Sequence, residues 1–123
     1  MGRMVTGTSP SQTIGELGEF GLIDLVARQL GTSPLVLLGP GDDAALVATG
    51  PSGTLISTDL LVEGRHFRRD WSTAYEVGRK AAACNLSDIN AMGGTATALT
   101  IGFAAPAELP VEWAVEMTRG FEE

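Results

Sequence analysis

The order of apolar and polar positions divides the chain into helical and extended stretches. Between Thr13 and Gly31, Leu17, Phe20, Ile23, Val26 or Ala27, and Leu30 recur at intervals of three and four, the repeat of one face of an α-helix. Thr13 and Glu16 stand ahead of that face at capping-box spacing, and Gly31 offers a stop; Gly18 and Gly21 weaken the interior. Residues 35–38 form a short apolar run, the sequence GPGDD at 39–43 a turn, and residues 44–48 a second apolar run. Asp42 and Asp43 thus stand next to a predicted strand. The sequence GPSG at 50–53 is a turn of the kind that joins antiparallel neighbours.

Residues 55–67 carry the densest mixture of chemical groups. Ile56, Leu60 and Val62 alternate with Ser57, Asp59 and Glu63, which predicts a strand with one buried and one polar face, although Leu61 breaks the alternation. Gly64 ends the run and leaves Arg65, His66 and Phe67 on a turn. A long helix capped by Ser72 is predicted to run to about Met92, its inner row formed by Val77 or Gly78, Ala81, Ala82, Asn85, Ile89 and Met92. Gly93 and Gly94 close it, residues 96–103 read as a strand, and residues 104–109 as a loop. Pro110 falls in the first turn of a last helix through Trp113, Met117 and Phe121.

Residues 1–12, rich in Gly, Ser and Thr and without periodicity, read as a disordered leader, and residues 13–123 as one domain. The expected class is α/β of the α+β type, a mixed or antiparallel sheet covered by helices. A chain that stops two residues beyond Phe121, with no polar tail, is expected to be the front part of a longer protein.

Composition narrows the function. Hydrophobic residues make up 44% and charged residues 19% of the 123, the balance of a folded globular protein. A formal net charge of −7 with scattered basic residues argues against a nucleic-acid surface, because phosphate backbones select basic patches. The single cysteine, Cys84, excludes an internal disulfide and reads as a small buried residue in its apolar run. No apolar run approaches the ~18 residues of a membrane span, and no basic region precedes an apolar signal core, so a cytoplasmic protein is expected.

Asp42 and Asp43, Asp59, and Asp88 stand at predicted strand edges or a helix end. Each alone is an ordinary turn or capping residue. Together with Ser57 and Thr58 they make a set of hard oxygen donors suited to Mg²⁺, which takes one or a few carboxylates and otherwise water and phosphate oxygens. The glycine-rich, lysine-bearing phosphate loop is absent, and the only lysine, Lys80, lies inside a predicted helix. A nucleotide bound here would have its charge met by metal ions on the aspartates.

Three runs, GDDAA at 41–45, STDLLVEGRHF at 57–67 and NLSDINAMG at 85–93, resemble in order and spacing the thiamine-monophosphate kinases of the aminoimidazole-ribonucleotide-synthetase-like superfamily. The resemblance runs from about Thr13 to the end and covers the family's N-terminal, ATP-binding domain. It implies an α/β domain that joins its sheet to that of a second copy in a homodimer. It also implies transfer of a phosphoryl group from ATP, carried by Mg²⁺, to thiamine monophosphate, giving thiamine diphosphate. By position, Asp43, Ser57, Thr58, Asp59 and Asp88 correspond to the metal-binding groups, with Ser57 and Thr58 also toward the nucleotide, Asp42 a neighbour, and His66 a substrate contact.

Two departures stand out. The family's later Gly-Gly-Asp-Thr segment and its C-terminal domain lie outside these 123 residues, so low activity or none is expected of this chain by itself. Asn90 and Gly94 occupy places where the family pattern calls for small residues such as Ala. The competing readings are another enzyme of the superfamily, selenophosphate-synthetase-like or hydrogenase-maturation-like, and a non-catalytic dimerisation fragment. The run VEGRHF at 62–67 argues against the former.

Overall fold

A computed structural model of the chain describes residues 12–122. The leader expectation falls on residues 1–11, outside the described residues; its last residue, Gln12, accepts from the Val111 N–H at 2.9 Å and is part of the fold.

The first helical stretch is two helices, α1 at Ile14–Leu17 and α2 at Glu19–Gln29. The break is at Gly18, whose φ of 81° and ψ of 166° lie outside helical space and are open to glycine alone. Thr13 caps α1, its side chain accepting from the Glu16 N–H. The chain leaves α2 through extended Leu30, and the Gly31 N–H donates to Glu122 Oε1 at 2.7 Å, which ties the stop after α2 to the far end of the chain.

Two short strands follow, β1 at Val36–Leu38 and β2 at Leu46–Val47, paired antiparallel with Val36 opposite Val47 and Leu38 opposite Leu46. Ala48 N–H adds a bond to the Leu35 carbonyl at 2.8 Å. Between them the chain turns through Gly41, at φ 127°, and presents Asp42 and Asp43 to solvent.

The larger sheet expected from residues 55–62 and 96–103 is not formed among the described residues, where neither segment joins a ladder and the sheet is two-stranded. The physical reason is that a side-chain alternation specifies a face, whereas a strand also needs a neighbouring backbone. The face expected to be buried is not: Ile56, Leu60 and Val62 are 85%, 77% and 46% exposed, while Leu61, which breaks the alternation, is half-buried. Ser57, of the same parity as Leu61, reaches the helix that follows.

That helix is α3, Ala74–Ala91. Its cap is Thr73 rather than Ser72. Thr73 Oγ1 accepts from the Glu76 N–H at 3.2 Å and Glu76 Oε2 from the Thr73 N–H at 2.8 Å, a reciprocal pair that Ser72, with Tyr75 three residues on, lacks the carboxylate to complete. The Ser72 N–H instead donates to Arg68 O. At the other end Gly93, at φ 76°, closes α3 as expected. The last helix, α4 at Val111–Gly120, begins one residue after Pro110, which serves as its N-cap.

The core lies between α3 and α4, where Val77, Ala82, Leu109, Val111, Ala114 and Met117 are buried. The helices meet at two glycines: a Cβ on Gly78 would collide with the Met117 carbonyl, and one on Gly120 with the backbone at Tyr75. Thr118 is fully buried and donates its hydroxyl back to Ala114 O at 2.8 Å, so it costs the core no unpaired group. The result is an α+β domain with a well-packed helical layer and an apolar opposite side that is largely exposed.

Candidate functional site

The predicted site residues come from three elements. Asp42 and Asp43 sit on the turn between β1 and β2, where the Asp43 N–H donates to Asp42 Oδ1 at 2.9 Å. Ser57, Thr58 and Asp59 lie on the extended segment, and Asp88 on the last turns of α3. Of these, the fold brings two side chains into contact: Ser57 Oγ donates to Asp88 Oδ2 at 3.1 Å. One helical turn earlier, Asn85 Oδ1 accepts from the backbone N–H of Asp59 at 3.2 Å. The Ser57 side chain and the Asp59 peptide thereby meet residues 88 and 85 on one face of α3.

The carboxylates do not close into a cage. Among the described residues, no group of three or more His, Cys, Asp or Glu side chains stands close enough together to hold a metal ion. The donor chemistry still fits Mg²⁺, since a hydroxyl and a carboxylate are in contact and no described donor is bonded to the Asp59 carboxylate. Mg²⁺ needs few protein carboxylates when phosphate and water complete its octahedron.

His66 stands on a tightly bonded loop. Its own N–H and that of Arg65 donate to the Val62 carbonyl at 2.9 and 3.1 Å, and Gly64, at φ 84°, donates to Phe67 O at 2.8 Å. The Val62 N–H donates to His66 Nδ1 at 2.9 Å, so the neutral ring carries its proton on Nε2. Lys80 Nζ, from α3, donates to the His66 carbonyl, and the Phe67 ring stacks on Trp113 of α4 with centroids 6.2 Å apart. The loop is thus fastened to both core helices, with an imidazole N–H donor on its exposed side.

Basic groups nearby are largely committed. Arg69 Nε meets Glu63 Oε1 at 2.6 Å, and Arg68 makes a two-point contact with Asp70 while its guanidinium lies 4.4 Å above the Trp71 ring. The Arg68 guanidinium holds the Asp70 carboxyl below the ordinary carboxylate range.

The sequence pattern placed Asn85 in the inner row of a helix and assigned it no bond to the segment. Its signal was an amide inside an otherwise apolar row, one turn before Asp88. The link from Lys80 to the His66 loop had no local signal, because fourteen residues separate the partners.

This is an α+β domain in which a hydroxyl from the segment before α3 and a carboxylate from α3 stand side by side, in a chain without a lysine-bearing glycine loop. A family model described as AIR synthase related protein, N-terminal domain, matches residues 41–123, and the chain belongs to that family. A thiamine-monophosphate kinase of Mycobacterium tuberculosis strain H37Rv is 53% identical over 113 residues, covering 92% of this chain and 34% of the relative. Those of Corynebacterium glutamicum and Escherichia coli K12 are 41% and 45% identical, covering 90% and 72% of this chain and 33% and 28% of their own lengths. The chain thus spans about a third of the length of the curated relatives it matches. No solved structure matches it significantly.

Proposed function

We propose that this chain is the nucleotide-binding part of an enzyme that transfers a phosphoryl group from ATP to thiamine monophosphate, giving thiamine diphosphate. The observation that carries the reading is 53% identity, across 92% of the chain, to a protein named thiamine-monophosphate kinase. Asp43, Ser57, Thr58, Asp59 and Asp88, with Asp42 beside them, would hold Mg²⁺, which supplies positive charge against the phosphate oxygens. The Ser57 to Asp88 bond keeps two of these oxygen groups together before ligand arrives. His66 offers its Nε2–H to an anionic substrate group, with its ring aimed by the Val62 N–H.

Because the chain covers a third of its relatives' length, turnover is proposed to need groups that these 123 residues do not supply to position the reacting phosphates. We also propose a homodimer, supported by the exposed apolar row of Ile56, Leu60 and Val62, and a cytoplasmic setting. Among the described residues no helix is long and apolar enough to cross a membrane.

Calorimetric titration with ATP and Mg²⁺, followed by a turnover assay with thiamine monophosphate on this chain and on one of its relatives' full length, tests the reading. Magnesium-dependent ATP uptake by both, with far faster turnover by the longer form, is the expected result. Uptake without turnover of thiamine monophosphate by either form favours another enzyme of the superfamily. No uptake at all leaves a dimerisation unit without a nucleotide site.

A further inference from the structure

Asn85 lies half-buried on the face of α3 turned toward residues 55–62. Its amide is used at both ends. Nδ2 donates to the Ala81 carbonyl at 2.9 Å, one turn back on the same helix, and Oδ1 accepts from the Asp59 N–H at 3.2 Å. The orientation follows from valence: a flipped amide would face oxygen to the Ala81 carbonyl and NH₂ to an N–H. The bond within the helix holds the side chain in place, so the bond to Asp59 is made from a group already oriented.

The Asp59 N–H is otherwise a backbone donor without a ladder, because residues 55–62 pair with no strand among the described residues. Asn85 takes the part of the missing strand neighbour at that one peptide. Three residues along α3, Asp88 accepts from the Ser57 hydroxyl, so the helix grips the segment at two points running in opposite directions. Fixing the peptide at Asp59 fixes the direction in which its Cα–Cβ bond leaves the chain, and hence where its carboxylate can reach.

We propose that Asn85 is a positioning residue: it sets the backbone from which the Asp59 carboxylate is presented, beside the Ser57 and Asp88 pair, to a divalent cation carrying nucleotide phosphates. This rests on the nucleotide reading above. Asn85 acts through Asp59 and touches no ligand. Asparagine suits the position because aspartate would keep the acceptor but oppose the Ala81 carbonyl and crowd Asp59 and Asp88 with another negative charge. Alanine leaves the Asp59 N–H with no protein acceptor.

The test compares this chain with its Asn85→Ala, Asn85→Asp and Asp59→Asn variants and the Asn85→Ala/Asp59→Asn double variant. Amide exchange without ligand and magnesium-dependent ATP binding are both measured. In Asn85→Ala, exchange at the Asp59 amide should quicken about tenfold and ATP binding weaken about tenfold, while core amides such as Met117 keep their protection. Asn85→Asp, which retains the acceptor, should hold the Asp59 amide near its original rate. Removing Asn85 from the Asp59→Asn background should cost little further ATP affinity, since the carboxylate it positions is already gone. Unchanged Asp59 exchange in Asn85→Ala, or losses that simply multiply in the double variant, would overturn the positioning role. An unsubstituted chain that takes up no ATP with Mg²⁺ overturns the nucleotide reading and the ligand half of this proposal, whatever the amides do.

Discussion

The Ser57 hydroxyl donates to Asp88 Oδ2 at 3.1 Å, joining residues 31 positions apart into a contact that no local pattern contains. Asp59, two residues from Ser57, has a carboxylate with no bonded donor among the described residues, so charge removal there separates two roles. Asp59→Asn should leave the melting temperature of the ligand-free chain unchanged or slightly raised, and weaken magnesium-dependent ATP binding by tenfold or more. Asp43→Asn should behave alike. Asp88→Asn should weaken nucleotide binding and also lose part of its bond to Ser57, lowering stability by about 1 kcal/mol. Thermal melts and calorimetry on the three variants decide the matter: stability loss with intact ATP binding in all of them removes the metal assignment.

His66 presents Nε2–H because its Nδ1 is occupied by the Val62 N–H. In a form extended to the full length of its relatives, His66→Ala should raise the KM for thiamine monophosphate about tenfold or more with little change in the KM for ATP. Steady-state kinetics with each substrate varied in turn makes the comparison. The opposite pattern would assign the loop to the nucleotide.

Ile56 and Leu60, 85% and 77% exposed, sit on the outward side of a segment whose other side faces α3. Leu37 and Leu46, at 62% and 57%, are also uncovered. Apolar exposure on this scale calls for cover, which a second copy, as proposed, would supply with matching surface and strand edges. Sedimentation at micromolar concentration should find a dimer, and Ile56→Ser with Leu60→Ser should shift it to monomer. A stable, soluble monomer of the unsubstituted chain would count against the dimer.

Gly78 lets α3 approach α4 until its Cα faces the Met117 carbonyl, with Gly120 Cα 3.2 Å from where a Cβ would stand. The obstacle is backbone, which cannot rotate aside as a side chain would. Gly78→Ala should therefore destabilise the chain by roughly 1–3 kcal/mol, despite the better helix propensity of alanine, and lower the melting temperature by several degrees. An unchanged melting temperature would show that the helices cross with room to spare.

How much of this was legible beforehand follows from the range of each interaction. α3 and α4 were readable because their repeat and termini act within a few residues. The reciprocal bonds of Thr73 and Glu76 and the left-handed turn at Gly93 are of that kind, and Ser72, the cap the pattern predicts, lies one position from the actual cap. The turn carrying Asp42 and Asp43 was readable for the same reason. The family was legible from three runs of residues, and a family match over residues 41–123 agrees with it.

The sequence by itself thus determined the helices, the turns and the stock of oxygen donors. Only the tertiary structure decided that α1 and α2 part at Gly18, that Ile56 and Leu60 face outward, and that Asn85 and Asp88 take hold of the segment at Asp59 and Ser57. Periodicity reports which residues share a face, but the partner of that face is chosen by contacts across tens of residues. The packing of α3 on α4 leaves one face of α3 to the segment, and no pattern within the segment records that choice.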